Sequence, residues 1–244
     1  MNGMVAVFKR ELASYFTTPV AYVFIVIFLI VANAFTFYLG NFYERGQADL
    51  ASFFTFHPWL FLFLVPALSM RLWAEERKSG SIELLMTLPI KPWQSVLGKY
   101  LAAWAFTALA IALTFPIWMT VNYLGAPDNG VIFAAYLGSI LMAGGFLAVG
   151  SCISAITKNQ VIAFIISVVV SLALLLAGLP LVLDVFAAWA PQAIVDTIAS
   201  LSFLTHFDSI SKGVIDVRDI VYFGLLIGFA LYANTIILEL KKAD

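Results

Sequence analysis

Six stretches of this chain, about residues 19–39, 53–70, 97–121, 131–156, 161–183 and 220–238, are apolar along nearly their whole length, and the middle of each holds no Asp, Glu, Lys or Arg. A helix rising about 1.5 Å per residue needs about 20 residues to cross a hydrocarbon core of about 30 Å. Each stretch approaches or exceeds that length, so the pattern predicts six transmembrane helices. Composition points the same way. Of 244 residues, 63% are hydrophobic and 11% charged, against about 25% charged in a soluble domain. Such a chain has too few polar groups to cover a water-facing surface, and it reads as an all-α integral membrane protein. The net charge of −1 offers no basic footprint for nucleic acid. The single cysteine, Cys152, allows no intrachain disulfide and reads as a small buried hydrophobe. The first apolar run reads as a retained span: it follows a charged segment and exceeds the roughly 7–15 residues of a signal-peptide core.

The segments between the spans carry their own patterns. In residues 1–18, Val5, Phe8, Leu12 and Phe16, with Tyr15 nearby, fall at helical spacing while Lys9, Arg10 and Glu11 lie elsewhere on the wheel. That predicts a helix lying in the headgroup plane, apolar side down. Pro58 and Pro66 are expected to kink the second span. Gly125-Ala126-Pro127-Asp128-Asn129-Gly130 is a turn signal, and Thr157-Lys158-Asn159-Gln160 a tight turn between the fourth and fifth spans. Gly178-Leu179-Pro180 is placed to break the fifth. Across residues 184–219, Asp184, Pro191, Asp196, His206 and Asp208 cut the apolar sequence into pieces too short to span, which read as re-entrant or interfacial helices.

Six spans put both termini on one side. The segments on that side hold Lys9, Arg10, Arg71, Arg77, Lys78, Lys91, Lys99, Lys158, Lys241 and Lys242, while the opposite segments hold Arg45, Lys212 and Arg218. Ten against three places the termini in the cytoplasm, and the short helices of 184–219 outside.

Chemistry is nearly absent. Proton-driven transporters rely on ionisable residues within their spans, and the middles of these spans have none; a sodium-coupled transporter built on a broken fifth span is harder to set aside. The sequence contains no H-E-x-x-H, no G-x-S-x-G and no zinc-spaced Cys/His cluster. The two histidines, His57 and His206, read as interfacial or hydrogen-bonded side chains rather than a metal pair. Gly98-Lys99 is followed by Tyr100 and lacks the upstream glycine of a P-loop. No cofactor is therefore assigned to this chain. Asn33, Asn122 and Asn234 are expected to hydrogen-bond between spans. Gly224-x-x-x-Gly228 reads as a dimer seam or, in preference, a packing seam within the chain. The aromatic outer half of the second span (Phe53, Phe54, Phe56, Trp59, Phe61, Phe63) reads as an interfacial belt.

If work is done on a substrate, its energy has to enter from another protein. The one sizeable cytoplasmic loop runs Glu75-Glu76-Arg77-Lys78-Ser79-Gly80-Ser81-Ile82-Glu83-Leu84-Leu85-Met86-Thr87-Leu88-Pro89. Ser81 is placed to cap a short helix. Ile82, Leu85 and Met86 form one apolar ridge, Glu83 projects elsewhere toward a basic partner, and Pro89 and Pro92 stop the helix. A two-turn helix does not hold itself together in water, so this one is expected to dock on something.

Glu76-Arg77-Lys78-x-Gly80-x-Ile82-Glu83-x-Leu85-x-x-x-Pro89 resembles the E-R-x-x-G-[ST]-[IL]-E-x-L-L-x-x-P signature between the second and third spans of ABC-2 type permeases. Phe8-Lys9-Arg10-Glu11-Leu12-x-x-Tyr15-Phe16-x-x-Pro19 is similar to the elbow helix of their gliding-motility and copper-processing (nitrous-oxide-reductase maturation) branches, and Phe203-Leu204-x-x-Phe207 fits their broken outer helices. The resemblance implies a permease subunit of an ABC exporter in a bacterial inner membrane. Two permease chains, identical or homologous, would each dock a separate ATPase, which would hold ATP and Mg. Residues 80–89 would be the coupling helix, with Glu75, Glu76, Arg77, Gly80, Ile82, Glu83, Leu84, Leu85 and Pro89 as its contacts. Lys158 and Asn159 would add a smaller one, and Phe8, Arg10, Glu11 and Phe16 would belong to the elbow helix. The competing expectation is a non-transporting membrane subunit that passes ATPase motion to a periplasmic or motility partner through the outer helices.

Overall fold

The computed structural model describes residues 3–87 and 89–240, with side chains described at all of these but Val20, Leu84, Leu85 and Met86. Helix is the only regular structure among the described residues, in chain order α1 (Gly3–Thr17), α2 (Pro19–Ala34, continued by a π-helical turn Phe35–Leu39), α3 (Ala51–Thr55), α4 (His57–Ser69), α5 (Arg71–Ser79), α6 (Ser81–Thr87), α7 (Pro92–Ala112), α8 (Phe115–Leu124), α9 (Asn129–Ile156), α10 (Gln160–Leu176), α11 (Pro180–Ala187), α12 (Gln192–Ser200), α13 (Phe203–Ser211) and α14 (Val217–Leu240). Four helical stretches are long and apolar enough to cross a membrane: Ala21–Leu39, Pro92–Leu124, Asn129–Ile156 and Val217–Leu240. A fifth is added if α10 and α11, bent by 80° at their junction, count as one. The chain is a multi-pass membrane protein.

Helix α9 is the axis. It is buried along most of its length, and α4, α5, α7, α10, α13 and α14 all pack on it. Its start, and that of α10 after it, are set by side chains that the sequence places there. The Asp128 carboxylate accepts from the amides of Gly130 and Val131, and Asn159 does the same for Val161 and Ile162 at the start of α10, each satisfying first-turn donors that lack a helical partner. Large apolar side chains remain exposed along α2 (Val26, Ile30), α10 (Ile165, Val169) and α14 (Leu225, Phe229), which suits surfaces bathed in lipid.

Three expectations need correction. The second apolar stretch is not one helix: it breaks at Phe56 and again at Met70, leaving α4 with 13 residues. Pro58 starts α4 instead of kinking a longer span, because a first-turn proline lacks only an amide that would be unpaired there anyway. Its aromatic residues do not form a belt. Phe53, Phe54 and Phe61 are buried around His57, whose Nδ1 lies 2.8 Å from Ser139 Oγ, while Trp59 and Phe63 face outward. The fifth apolar stretch breaks where Gly178-Leu179-Pro180 is placed to break it: α10 ends at Leu176 and the chain turns through 80° into α11.

Other expectations hold in part. The segment 184–219 does fold as short helices, with Phe203 and Phe207 of α13 buried one turn apart, Phe203 against Phe146 and Phe223. Of the three asparagines, Asn234 joins two long helices through Ser151 Oγ at 2.9 Å. Asn33 bonds within its own helix, and Asn122 meets Trp118 O and Asn129 near the α8–α9 turn. Cys152 is half-buried. A Cβ added at Gly224 or Gly228 meets nothing within 4 Å among the described residues, so both glycines face open space there.

Candidate functional site: the α5–α6 junction

The charged stretch folds as two helices because Gly80 adopts φ +74°, a left-handed conformation that costs glycine little and suits the residue ending a helix. That single residue turns the chain from α5 into α6. Arg77 and Lys78 occupy the last turn of α5, where cations complement the helix dipole.

Helix α5 is anchored on one side to the end of α9. The Ser154 hydroxyl accepts from the amides of Trp73 and Ala74, each at 3.1 Å, and donates to Met70 O at 2.8 Å. A serine of another helix thus serves the first turn of α5, where the local sequence provides no capping side chain. Arg77 Nη1 donates to Ala155 O at 2.5 Å, meeting one of the carbonyls left over at the end of α9. Leu72, Trp73 and Ala74 are buried, while Glu75 turns outward and pairs with Arg71 at 3.0 Å.

On the other side stands Lys99 of α7. Its side chain is 3% exposed, and its Nζ lies 2.7 Å from Glu76 Oε1 and 3.3 Å from Glu11 Oε1. Arg10 Nη2 is 2.5 Å from Glu11 Oε1 and 3.7 Å from Glu76 Oε1. The Trp73 ring sits 5.1 Å from the Lys99 ammonium, within cation–π range. Burial pushes the Glu11 carboxyl up, but Lys99 and Arg10 outweigh it and hold the group below its usual range. Glu76 Oε2 and Trp73 Nε1 are buried with no hydrogen-bond partner among the described residues.

Helix α1 reaches this cluster by lying along α7. Gly3 sits by Ile90, Val7 by Gly98, Glu11 by Lys99, and Tyr15 and Phe16 by Phe106, so the two helices run side by side in one direction. Gly98 is required there, since a Cβ would fall 2.9 Å from both Met4 O and Val7 Cβ. The apolar stripe expected to face lipid is therefore partly covered by protein: Leu12 and Tyr15 pack against the core, and Phe16 stays exposed.

The structure thus brings together Glu76, Arg10 and Glu11 from the expected residues, while Arg77 turns the other way, to Ala155. Ile82 packs against the core, and Glu83 and Pro89 are exposed nearby in sequence. The Leu84 and Leu85 side chains, like Lys241 and Lys242, lie outside the described residues. Phe8 is half-buried on α1. Lys158 is exposed, and the Asn159 side chain is engaged in capping α10. Gly224 and Gly228 lie apart, on the exposed face of α14. Lys99 was missed: sequence counted it as a topology marker at the start of a span, and nothing local signals its burial. Among the described residues, no three of His, Cys, Asp and Glu come together as metal ligands.

A comparison with curated proteins found no match. Residues 41–238, however, match the family model described as "ABC-2 family transporter protein". That match covers more than half of the chain and includes α5, α6 and everything packed on α9. The chain belongs to the ABC-2 transporter family.

Proposed function

We propose that this chain is the permease subunit of an ABC exporter, driven through α6 by a separate ATPase. Family membership supports the membrane-subunit part of this reading, because ABC-2 permeases work with an ABC ATPase. One observation carries the rest. The charged loop is bound to α1, α7 and α9 by the Lys99 cluster, Ser154 and the Arg77–Ala155 bond, while Glu83 stays exposed. A segment built this way gives a soluble partner a grip and passes its push to three parts of the membrane domain at once.

In this reading α1 is the elbow helix (1–18) and residues 19–244 form the transmembrane domain. Its six crossings are α2, the broken run α3–α4, α7–α8, α9, α10 and α14, with α11–α13 outside and both termini in the cytoplasm of a bacterium. The likeness of α1 and α13 to the gliding-motility and copper-processing branch favours that branch. A second permease chain, identical or homologous, completes the pathway. ATP and Mg are held by the ATPase, and the permease binds no cofactor. A second reading, force transmission to a periplasmic partner, draws on α11 and α12, which bury only Val195 between them and leave a broad surface free.

Purification in mild detergent tests the proposal. An ATPase should accompany the chain in equal copy number, and Glu83→Arg should leave membrane insertion intact while separating ATP hydrolysis from transport. Recovery of the chain without an ATPase, or undiminished transport by the variant, refutes it. ATPase stimulation that depends on an outer protein, and not on a cargo, would select the second reading.

A further inference from the structure

We propose that Lys99 is the positioning residue that makes α1, α5 and α7 move as one body, so that a push received at α6 reaches the first and third spans together. The inference rests on the coupling role above and assigns it a mechanical part.

Each charge of the cluster comes from a different helix: Glu11 from α1, Glu76 from α5 and Lys99 from α7. Lys99 alone bonds both carboxylates, so its removal breaks the α7–α1 and α7–α5 charge contacts at once. Adhesion alone does not require this arrangement. Helices α1 and α7 already meet through Gly98 against Val7 and through the Tyr15–Phe106 stack, with ring centroids 4.9 Å apart. Helix α5 is already seated on α9 through Ser154 and Arg77. The two assemblies also meet deeper in the bundle, where α7 packs on α9 and Tyr100 and Trp104 donate to Gly144 O at 3.2 Å and Ile140 O at 2.8 Å. At the α5–α6 end Lys99 ties them by bonding both Glu76 and Glu11 beside the Trp73 ring, with Arg10 facing Glu76 at 3.7 Å.

The chemistry suits registration better than static strength. Buried ion pairs seldom outdo well-packed apolar side chains in stability, and their best-attested use is to fix which arrangement forms. Among the described residues, Glu76 Oε2 and Trp73 Nε1 are left without partners, which a network serving only stability would avoid. The cluster is also balanced, with Lys99 and Arg10 facing Glu11 and Glu76, so neutralising Lys99 leaves two carboxylates facing one partly exposed arginine.

The test is a distance measurement between spin labels at Ser14→Cys on α1 and Ser79→Cys on α5, both exposed positions, in a Cys152→Ser background. The permease–ATPase complex in lipid nanodiscs is measured without nucleotide and after trapping with ATP and vanadate. With Lys99 intact, one narrow distance should persist in both states. Lys99→Met should at least double the width of the distribution and shift its centre on trapping, and Lys99→Arg should restore the narrow distance. Glu76→Gln, which keeps the side-chain shape, should broaden the distribution as Lys99→Met does, and covers the case in which Lys99→Met fails to fold. An unchanged narrow distance in Lys99→Met or Glu76→Gln overturns the proposal, as does a Lys99→Arg variant as broad as Lys99→Met. The same pair measured on the permease alone separates the two claims: broadening there upholds the tie even if no ATPase partner exists.

Discussion

Replacing Ser154 with alanine should destabilise the membrane domain by more than a buried serine usually warrants. Its hydroxyl makes three hydrogen bonds to α5 and the residue before it, at 3.1, 3.1 and 2.8 Å. A typical protein hydrogen bond contributes about 1 kcal/mol net, and inter-helix bonds in a membrane protein average about 0.6 kcal/mol. The three together amount to about 2–3 kcal/mol. The upper part of that range applies because the variant leaves the buried Trp73 amide, a first-turn donor, without an acceptor. For a chain of this size 1 kcal/mol corresponds to about 2–4 °C in Tm, so a loss of about 5–10 °C is expected. Trp73 is fully buried, which makes tryptophan fluorescence during thermal unfolding in detergent a suitable assay. Ser200→Ala, on exposed α12, is the control and should stay within about 0.5 kcal/mol. A Ser154→Ala shift no larger than that of the control would refute the idea that α9 caps α5.

Three further outcomes follow from the same geometry. Because Lys99 and Arg10 hold the Glu11 carboxyl below the usual carboxylate range, its contribution is complete above the unfolded-state value and is lost as pH falls through the lower folded one; acid unfolding curves should show this component in the native chain and lack it in Glu11→Gln. Gly98→Val should push α1 away from α7, since the added atoms meet Met4 O and Val7 Cβ. A cost of about 1–3 kcal/mol is expected, seen as faster proteolytic release of residues before α2, whereas a native cleavage pattern would contradict the close approach. His206 bonds the buried Asp219 carboxylate at 2.6 Å and Ser200 O at 3.0 Å, so His206→Ala should loosen α13 from α14 by about 2–3 kcal/mol, read as faster amide exchange across residues 203–211; unchanged exchange would contradict it.

Much of the architecture was legible because lipid leaves a chain few choices. Charge-free length located the long helices, and Gly178-Leu179-Pro180 marked the turn beyond α10. What escaped depends on which way a helix faces. A helix apolar on every side carries no moment to orient it, so sequence alone could not tell that Phe53, Phe54 and Phe61 turn inward while Trp59 and Phe63 turn outward. The break at Phe56 lies beside Pro58, which starts α4, but the one at Met70 has no local breaker, and Met70 is instead held by Ser154 from far along the chain. The candidate site was half visible. Its charged residues stand out in an oily sequence, but Lys99 looks like any lysine at the head of a span until Glu11 and Glu76 arrive from two other helices.

The central claim is that a nucleotide-hydrolysing partner grips this protein at α6. A photo-crosslinking amino acid at position 83, whose side chain is exposed, tests it most directly in intact cells. The account predicts one adduct larger than the chain by the mass of an ATPase subunit, formed from the cytoplasmic side. No such adduct, or labelling of a cysteine at position 83 by a membrane-impermeant reagent added from outside, would contradict it.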